Sequence, residues 1–310
     1  MKVGVTVPMT GGDVADGGVF PDWPLIRDFA VHAEALGLDS VWVFDHLLLK
    51  RGDPPGIHES WTMLSALAAA TSKVELGTLV MATPFRNAGL LAKMAVAVDD
   101  VSGGRLILGL GSGWHEPEFA AFGYEFEHRV GQFDEGLRVI RGLLDGESVT
   151  FDGRWVRVRD LALLPPPRRR IPILVASKGP RMLRLTAELA DAWNVAWHAH
   201  LREGFWAKMA GLDAALAAAG RDPATISRTS GLIVRDPDQR SAERAPVDAF
   251  GGSVEELAGV LDEHAAAGIE HAIVWLEPKT PASLERLAEA VALHRTRRGT
   301  APAAQGVVRR

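Results

Sequence analysis

Short apolar runs and amphipathic segments alternate along most of this chain. The apolar runs have the length of buried strands, and the segments after them have the period of helices that bury one face. The predicted strands span residues 3–7, 40–44, 74–80, 105–110, 173–176, 192–196, 226–234 and 271–276. The predicted helices span residues 25–36, 59–70, 89–101, 129–144, 180–189, 203–219, 254–267 and 283–294. Eight strands that are each followed by a helix predict an α/β fold, a (β/α)8 TIM barrel, rather than an open doubly wound sheet.

The alternation is interrupted once, between the fourth and fifth strands. Residues 148–164 alternate like two strands around Asp152 and Gly153, which is a hairpin turn signal, and a run of prolines and arginines follows. We interpret about 146–170 as an insertion in a single domain that spans 1–296. Residues 297–310 are predicted to be a disordered tail.

Composition excludes several classes of function. The chain has 310 residues, a formal net charge of −5 and no cysteine. It therefore has no disulfide, no thiolate metal site and no cysteine nucleophile, and its charge gives no basic footprint for nucleic acid. No apolar run approaches the roughly 18 residues of a membrane helix. Because the sequence runs from Met1 directly into a strand, without a signal segment, we expect a cytoplasmic protein whose partner is a small-molecule substrate.

In a (β/α)8 barrel, the chemistry is expected at the C-terminal ends of the strands. Asp45 and His46 directly follow the second strand. A histidine can transfer a proton near neutral pH, and an adjacent carboxylate could orient its ring or bind a cofactor. The alternative is a turn capped by Asp45 beside a solvent-exposed His46.

Two glycine-containing strand ends are candidate ligand sites. Gly109, Gly111 and Gly113 remove side chains where the backbone must approach a ligand closely, although their spacing matches neither the dinucleotide nor the triphosphate motif. The loop 177–181 combines free amides at a helix start with Lys178 and Arg181, which predicts a phosphate site. An ordinary capped helix with solvated charges is its alternative.

One pair of histidines has the spacing of metal ligands. His198 and His200 lie two residues apart, but no cluster of acids and histidines at other strand ends supports a metal site. No metal is therefore expected, and a metal hydrolase is only a distant alternative.

Three segments together resemble the luciferase-like monooxygenase superfamily, in particular its branch dependent on coenzyme F-420, an 8-hydroxy-5-deazaflavin. They are LGLDSVWVFDH (36–46), LGTLVMATPFRNAGLLAKMAVAVDDVSGGRLILGLGSGW (76–114) and PILVASKGPRMLRLTAELADAWN (172–194). The resemblance runs from Val3 to about Trp197 and is weaker after that. It implies a TIM barrel, a flavin or deazaflavin cofactor and a homodimer.

The resemblance also implies roles for individual residues. Asp45 would contact the cofactor, and His46 would be the proton donor. A non-prolyl cis peptide bond would join Leu79 and Val80 behind the cofactor ring. Together with the residues of the predicted phosphate loop, the full set of predicted cofactor-binding residues is Asp45, Leu79, Val80, Ala82, Ser112, Gly113, Ser177, Lys178, Gly179 and Arg181.

The chain departs from the family pattern at three positions. Lys178 stands where many relatives have glycine, Trp114 where the sugar-phosphate dehydrogenases have an acidic residue, and Ala196 where they have a polar substrate contact. These changes disfavour a sugar phosphate and favour a neutral, fairly apolar organic substrate. The predicted substrate contacts are Trp61, Trp114, Trp197 and His198.

The resulting prediction is an oxidoreductase that exchanges hydride between the deazaflavin and an organic substrate, such as one with a C=C or C=N bond. An FMN-dependent two-component monooxygenase is the first alternative. A flavin-binding barrel without catalytic turnover is the second.

Overall fold

The computed structural model describes residues 1–14, 20–49, 56–239 and 249–300. Parts of two predicted loops, residues 50–55 and 240–248, and residues 301–310 of the predicted tail lie outside these ranges.

In the described part of the chain, a parallel sheet closes into a barrel with eight strand positions. Its strands are β1 (Lys2–Thr6), β2 (Ser40–Val43), β3 (Glu75–Thr78), β4 (Met81–Ala82), β5 (Leu106–Gly111), β8 (Ile173–Ala176), β9 (Ala192–Val195), β10 (Ser227–Arg235) and β11 (His271–Glu277). They run in the order β3-β2-β1-β11-β10-β9-β8-β5-β4, and a further pairing of β3 with β5 closes the ring. Strands β3 and β4 share one barrel position. The predicted (β/α)8 barrel is confirmed.

Helices surround this barrel, and their apolar faces pack on the outside of the strands. The helices are α1 (Trp23–Ala35), α2 (Ser60–Ala70), α3 (Ala88–Val101), α4 (Glu116–Phe122), α5 (Arg129–Leu144), α6 (Pro180–Leu189), α7 (Glu203–Ala218), α8 (Val254–Ala266) and α9 (Pro281–Thr300). Short 3-10 turns occupy Thr83–Phe85 and Pro223–Thr225.

The inside of the barrel is built around one large side chain. Trp42 is fully buried, and its indole N–H donates a hydrogen bond to Ser40 Oγ at 2.7 Å. A Cβ on Gly77 would lie 2.1 Å from the Trp42 ring, and one on Gly4 would lie 1.9 Å from Ser40 Oγ. Glycine is therefore required at both positions, because only it leaves room for the tryptophan between neighbouring strands.

The insertion between the fourth and fifth barrel strands is an antiparallel hairpin, as predicted. It consists of β6 (Val149–Asp152) and β7 (Arg157–Leu161). The carboxylate of Glu135 on α5 accepts hydrogen bonds from the amides of Arg154, Trp155 and Val156 at 2.8–3.0 Å, which ties the turn to the barrel.

Three sequence predictions differ from the structure. The predicted third strand, 74–80, ends earlier, at Thr78, and the two-residue strand β4 follows Leu79 and Val80. Helix α4 was not predicted, because seven residues that include a proline carry too little periodicity. Helix α9 continues to Thr300, so the prediction that 297–300 belong to a disordered tail is wrong.

Candidate active site

A cleft of about 360 Å³ lies at the C-terminal ends of the barrel strands. This is the face where the fold predicts chemistry. The residues that line it are Phe44, Asp45, His46, Leu79, Val80, Ala82, Gly111, Ser112, Gly113, Trp114, Glu118, Ala176, Ser177, Lys178, Met182, Asn194, Ala196 and Trp197.

The His46 ring is anchored from one side by a buried carboxylate. Its Nδ1 lies 3.0 and 3.2 Å from the two oxygens of Glu118, a residue of α4. Glu118 Oε2 also accepts hydrogen bonds from the amides of Leu47, at 2.8 Å, and Leu48, at 3.3 Å. Burial acts to raise the pKa of Glu118, but the hydrogen bonds and the charge of His46 outweigh it and lower that pKa. Sequence reasoning missed Glu118 because it is 72 residues away from His46.

Asp45 does not orient His46, although it is adjacent in sequence. Its carboxylate is bound by both Nη atoms of Arg86, at 2.6 and 3.1 Å. It also accepts hydrogen bonds from Ser60 Oγ at 2.7 Å and from the amide of Ala82 at 3.0 Å. Arg86 reaches Glu59 as well, at 2.6 Å. Burial opposes the charge on Arg86, yet the two carboxylates raise its pKa above the usual value.

The predicted cis peptide bond between Leu79 and Val80 is confirmed, and both residues line the cleft. The glycines of β5 make room for this segment. A Cβ on Gly109 would lie 1.7 Å from the Thr78 carbonyl oxygen, and one on Gly111 would lie 2.6 Å from the Val80 side chain. The close approach that these glycines allow is therefore made by neighbouring strands of the protein.

The strand ends after β5 and β8 bring several predicted residues to the cleft. Ser112 and Gly113 line it, and Gly113 has a φ of 76°, which favours glycine. The Ser177 hydroxyl is 2.9 Å from Thr186 Oγ1 and receives the Trp193 indole N–H at 3.1 Å, so it bonds within the protein. The Ser177 hydroxyl thus has its partners within the protein.

The predicted phosphate loop leads into helix α6. Lys178 is exposed and lines the cleft. Gly179 is the N-cap of α6, and no side chain of the described residues caps that first turn. Arg181 instead turns toward α5, where its side chain, 54% exposed, pairs with Asp134 at 3.4 Å. The structure thus brings Lys178 to the cleft and directs Arg181 away from it.

Two of the four predicted substrate contacts line the cleft. Trp114 is 68% exposed at its mouth, with its ring edge toward His46 at 5.5 Å between centroids. Trp197 forms part of the wall and packs edge-on against Trp275. Trp61, only 7% exposed, belongs to the core around α2 because its helix turns it inward.

The fourth predicted contact, His198, is not among the residues that line the cleft and instead lies beside a neighbouring helix. Its Nε2 lies 3.0 Å from Nζ of Lys208, a residue of α7. Burial and the nearby charge of Lys178 lower the pKa of Lys208.

Asn194 is a second lining residue that sequence reasoning missed. Its side-chain amide donates to Thr229 Oγ1 at 2.8 Å, and the Thr229 hydroxyl donates in turn to the Trp193 carbonyl at 3.1 Å. Because the hydroxyl hydrogen is already used, Thr229 must accept from Asn194, which fixes the orientation of the amide. Asn194 Oδ1 is buried and has no hydrogen-bond partner among the described residues.

Two other kinds of site are absent from the described part of the chain. Within the described ranges, no group of three or more histidine, aspartate or glutamate side chains is arranged to hold a metal ion. None of the described helices is both long and apolar enough to cross a membrane.

Comparisons with known proteins agree with this architecture. The chain is 34% identical over 172 residues to an F420-dependent glucose-6-phosphate dehydrogenase of Amycolatopsis mediterranei (strain U-32), which covers 54% of this chain and 51% of that protein. It is 33% identical over 201 residues to a 5,10-methylenetetrahydromethanopterin reductase of Methanolobus tindarius, covering 65% and 58%. The matches thus span only a little more than half of these relatives' lengths.

A solved structure extends the similarity of fold over nearly the whole chain. An F420-dependent secondary alcohol dehydrogenase, solved with an F420-acetone adduct, superposes with a TM-score of 0.79 at 19% identity and covers 95% of this chain and 99% of its own. The sequence profile described as luciferase-like monooxygenase matches residues 1–304. The chain therefore belongs to the luciferase-like monooxygenase family.

Proposed function

We propose that this protein is a deazaflavin-dependent oxidoreductase that exchanges hydride between coenzyme F-420 and a small, fairly apolar organic substrate. One observation carries the proposal: a single cleft has a carboxylate-anchored histidine and also a lysine beside an uncapped helix start. The first group suits proton transfer and the second suits a phosphate. The relative named as an F420-dependent glucose-6-phosphate dehydrogenase supports the same choice of cofactor.

The phosphate end of the cleft fits an anionic cofactor. Helix α6 has ten residues, and its first amides have no side-chain cap, so they and the helix dipole favour an anion. No atom would lie within 4 Å of a Cβ on Gly179, so the helix start is open. Lys178 adds a positive charge at the same place. A phosphorylated cofactor would be held here by Lys178, Gly179 and the α6 amides.

The inner wall of the cleft fits the ring of such a cofactor. Deazaflavins and flavins both carry a ring N–H that needs an acceptor when it is buried. Asn194 Oδ1 is a buried acceptor of fixed orientation, and the described residues leave it unpaired. We propose that it accepts a hydrogen bond from the bound ring. Leu79 and Val80 offer an apolar surface beside that position.

The remaining wall favours an apolar substrate. Phe44 and Trp197 line the cleft, and Trp275 stacks on Phe44 at 5.0 Å and packs edge-on against Trp197. Trp114 stands exposed at the mouth. Aromatic surfaces of this kind bind apolar groups and disfavour a sugar phosphate.

A bound deazaflavin supplies or accepts hydride at its reactive ring carbon. The protein's own task is to orient the reactants and to move one proton. In the reducing direction, hydride addition to an unsaturated bond of the substrate leaves an anion, and His46 provides the proton from Nε2 when its ring carries a proton on both nitrogens. In the opposite direction, His46 Nε2 accepts that proton.

Separate titrations with the two candidate cofactors test which of them the protein binds more tightly. Purified protein is titrated with coenzyme F-420 and, separately, with FMN, and each dissociation constant is measured by fluorescence. We expect the deazaflavin to bind at least tenfold more tightly. Tighter binding of FMN would contradict the proposal and would favour a two-component monooxygenase, whereas binding of neither would exclude both assignments.

A further inference from the structure

We propose that Glu118 is the positioning residue of the proton-transfer site, because its carboxylate fixes the tautomer of His46. The carboxylate would hold the proton of the neutral ring on Nδ1 and leave Nε2 to exchange a proton with the cleft. The consequence for turnover rests on the proposed function, whereas the tautomer is a property of the protein without any ligand.

Hydrogen-bonding capacity supports this assignment. The pKa of Glu118 lies below its usual range, so the side chain is a carboxylate at neutral pH and can only accept hydrogen bonds. His46 Nδ1 lies 3.0 Å from Glu118 Oε1, so it must carry a hydrogen. His46 Nε2 makes no hydrogen bond with the described part of the chain, and the residue lines the cleft. Nε2 is thus the nitrogen that can exchange a proton with a ligand.

No other acid of the described site competes for this role. The carboxylate of Asp45 is saturated by Arg86 and by two further donors. The other close neighbours of the His46 ring are the rings of Trp114, His115 and Phe44, at 5.5, 6.1 and 6.3 Å between centroids. Glu118 is also nearly inaccessible, with 1% of its side chain exposed, so its hydrogen bond is shielded from water.

The substitution Glu118→Gln makes a specific prediction because of the second oxygen. Glu118 Oε2 accepts the amides of Leu47 and Leu48, so the single oxygen of the glutamine side chain is drawn to that position. The glutamine NH2 group then faces His46 Nδ1 and donates to it. The ring must change to the tautomer with its hydrogen on Nε2, as expected when an acceptor-only partner is replaced by an amide.

The experiment measures the tautomer directly. Histidine is labelled with ¹⁵N, and the ring nitrogens of His46 are observed by NMR in the ligand-free protein at about pH 9, where a free imidazole is neutral. We expect a protonated Nδ1 in the wild-type protein and a protonated Nε2 in Glu118→Gln. A wild-type ring protonated on Nε2, or an unchanged tautomer in Glu118→Gln, would overturn the proposal.

Two further variants separate positioning from simple structural support. Glu118→Asp keeps an acceptor-only carboxylate, so we expect it to retain the wild-type tautomer even though it is one methylene shorter. If Glu118 only anchors the backbone, Glu118→Gln retains wild-type properties and Glu118→Asp is the more damaged variant. Glu116→Gln changes an exposed glutamate of the same helix and is the matched control, with no effect on the tautomer.

Turnover provides the second readout. We expect Glu118→Gln to lower the rate of the deazaflavin-dependent reaction by about 100-fold or more, the scale of losing a positioned acid, while deazaflavin affinity changes less than about threefold. Wild-type turnover in Glu118→Gln would overturn the role in catalysis. Failure of the wild-type protein to bind deazaflavin would contradict the proposed function alone, because the NMR result would still decide the tautomer.

Discussion

At the scale of single residues, neighbours in space decide what each acidic side chain does. Asp45 is adjacent to His46 in sequence, yet its carboxylate holds Arg86 and so joins the end of β2 to the turn after β4. Glu118 is distant in sequence, yet it is the carboxylate that contacts the His46 ring. Two acids within one site therefore have separate partners: Asp45 binds Arg86, and Glu118 contacts the histidine ring.

His46 itself is the first residue to test. His46→Ala removes the proposed proton donor, so we expect the rate of the chemical step to fall by about 100-fold or more. Deazaflavin affinity should change far less, because the phosphate and ring contacts come from other strand ends. Stopped-flow measurement of hydride transfer separates the rate from the affinity. Turnover at the parent rate would show that the proton comes from water or from another group.

His115→Ala is the matched control for that experiment. The His115 ring lies 6.1 Å from the His46 ring, and His115 contacts Glu118 only through the backbone, where its carbonyl oxygen accepts the Glu118 amide at 3.2 Å in the described chain. We expect His115→Ala to retain most of the parent rate. If the two alanine variants lose activity equally, the assignment of the donor to His46 is wrong.

The sequence predicted those parts of the site that belong to local motifs. The Asp45-His46 pair, the glycine-rich end of β5 and the loop before α6 all follow strands directly, so their places on the barrel follow from the strand count. Glu118 could not be assigned, because no local spacing relates it to His46. Trp61 lies in the core and not along the cleft, a difference that composition cannot show, because it does not distinguish an aromatic ring that lines a cleft from one that fills a core.

At the scale of elements, two helices bring groups to the cleft in different ways. Helix α4 carries one buried side chain to His46. Helix α6 offers its uncapped N-terminus together with the preceding lysine. The sequence predicted α6 because a strand precedes it, Gly179 and Pro180 mark its start, and an amphipathic run forms its body. It did not predict α4, whose short length and proline obscure its period.

The proposed anion site at α6 is tested by a matched pair of substitutions. Lys178→Gln removes the cation that lines the cleft, so we expect deazaflavin affinity to fall by about three- to tenfold at low salt and by less at high salt. Arg181→Gln removes the cation that pairs with Asp134, so affinity should hardly change. Fluorescence titration at two ionic strengths measures both. Equal losses of affinity in the two variants, or no loss in Lys178→Gln, would contradict the anion site and favour an ordinary helix start with solvated charges.

At the scale of the whole molecule, the polar groups at the C-terminal end of the barrel differ in their hydrogen bonding from those deeper inside it. At the C-terminal end, Asn194 Oδ1 has no hydrogen-bond partner among the described residues, and His46 lines the cleft. Deeper in the barrel, polar groups are paired with each other: Ser40 Oγ receives the Trp42 indole N–H and lies 2.7 Å from His271 Nε2. This buried trio ties β2 to β11 through side chains, although β1 lies between those strands. The paired groups inside the barrel thus contribute to its stability, whereas the groups at its C-terminal end line the cleft.

That arrangement predicts how stability depends on pH. Burial, with smaller effects of Lys2 and the N-terminus, lowers the pKa of His271 from 6.5 to about 3. Between these two pKa values, His271 binds a proton in the unfolded chain but not in the folded protein. The free energy of unfolding therefore decreases as the pH falls. One such group contributes a slope of up to about 1.4 kcal/mol per pH unit, fully present within that window and absent above it.

Urea unfolding followed by far-ultraviolet circular dichroism, from pH 8 to pH 4, measures this slope in the wild type and in His271→Asn. The variant should lose stability at pH 8 because the trio is broken, yet its stability should fall less steeply below pH 6.5. Parallel curves would show that His271 takes up a proton in the folded barrel.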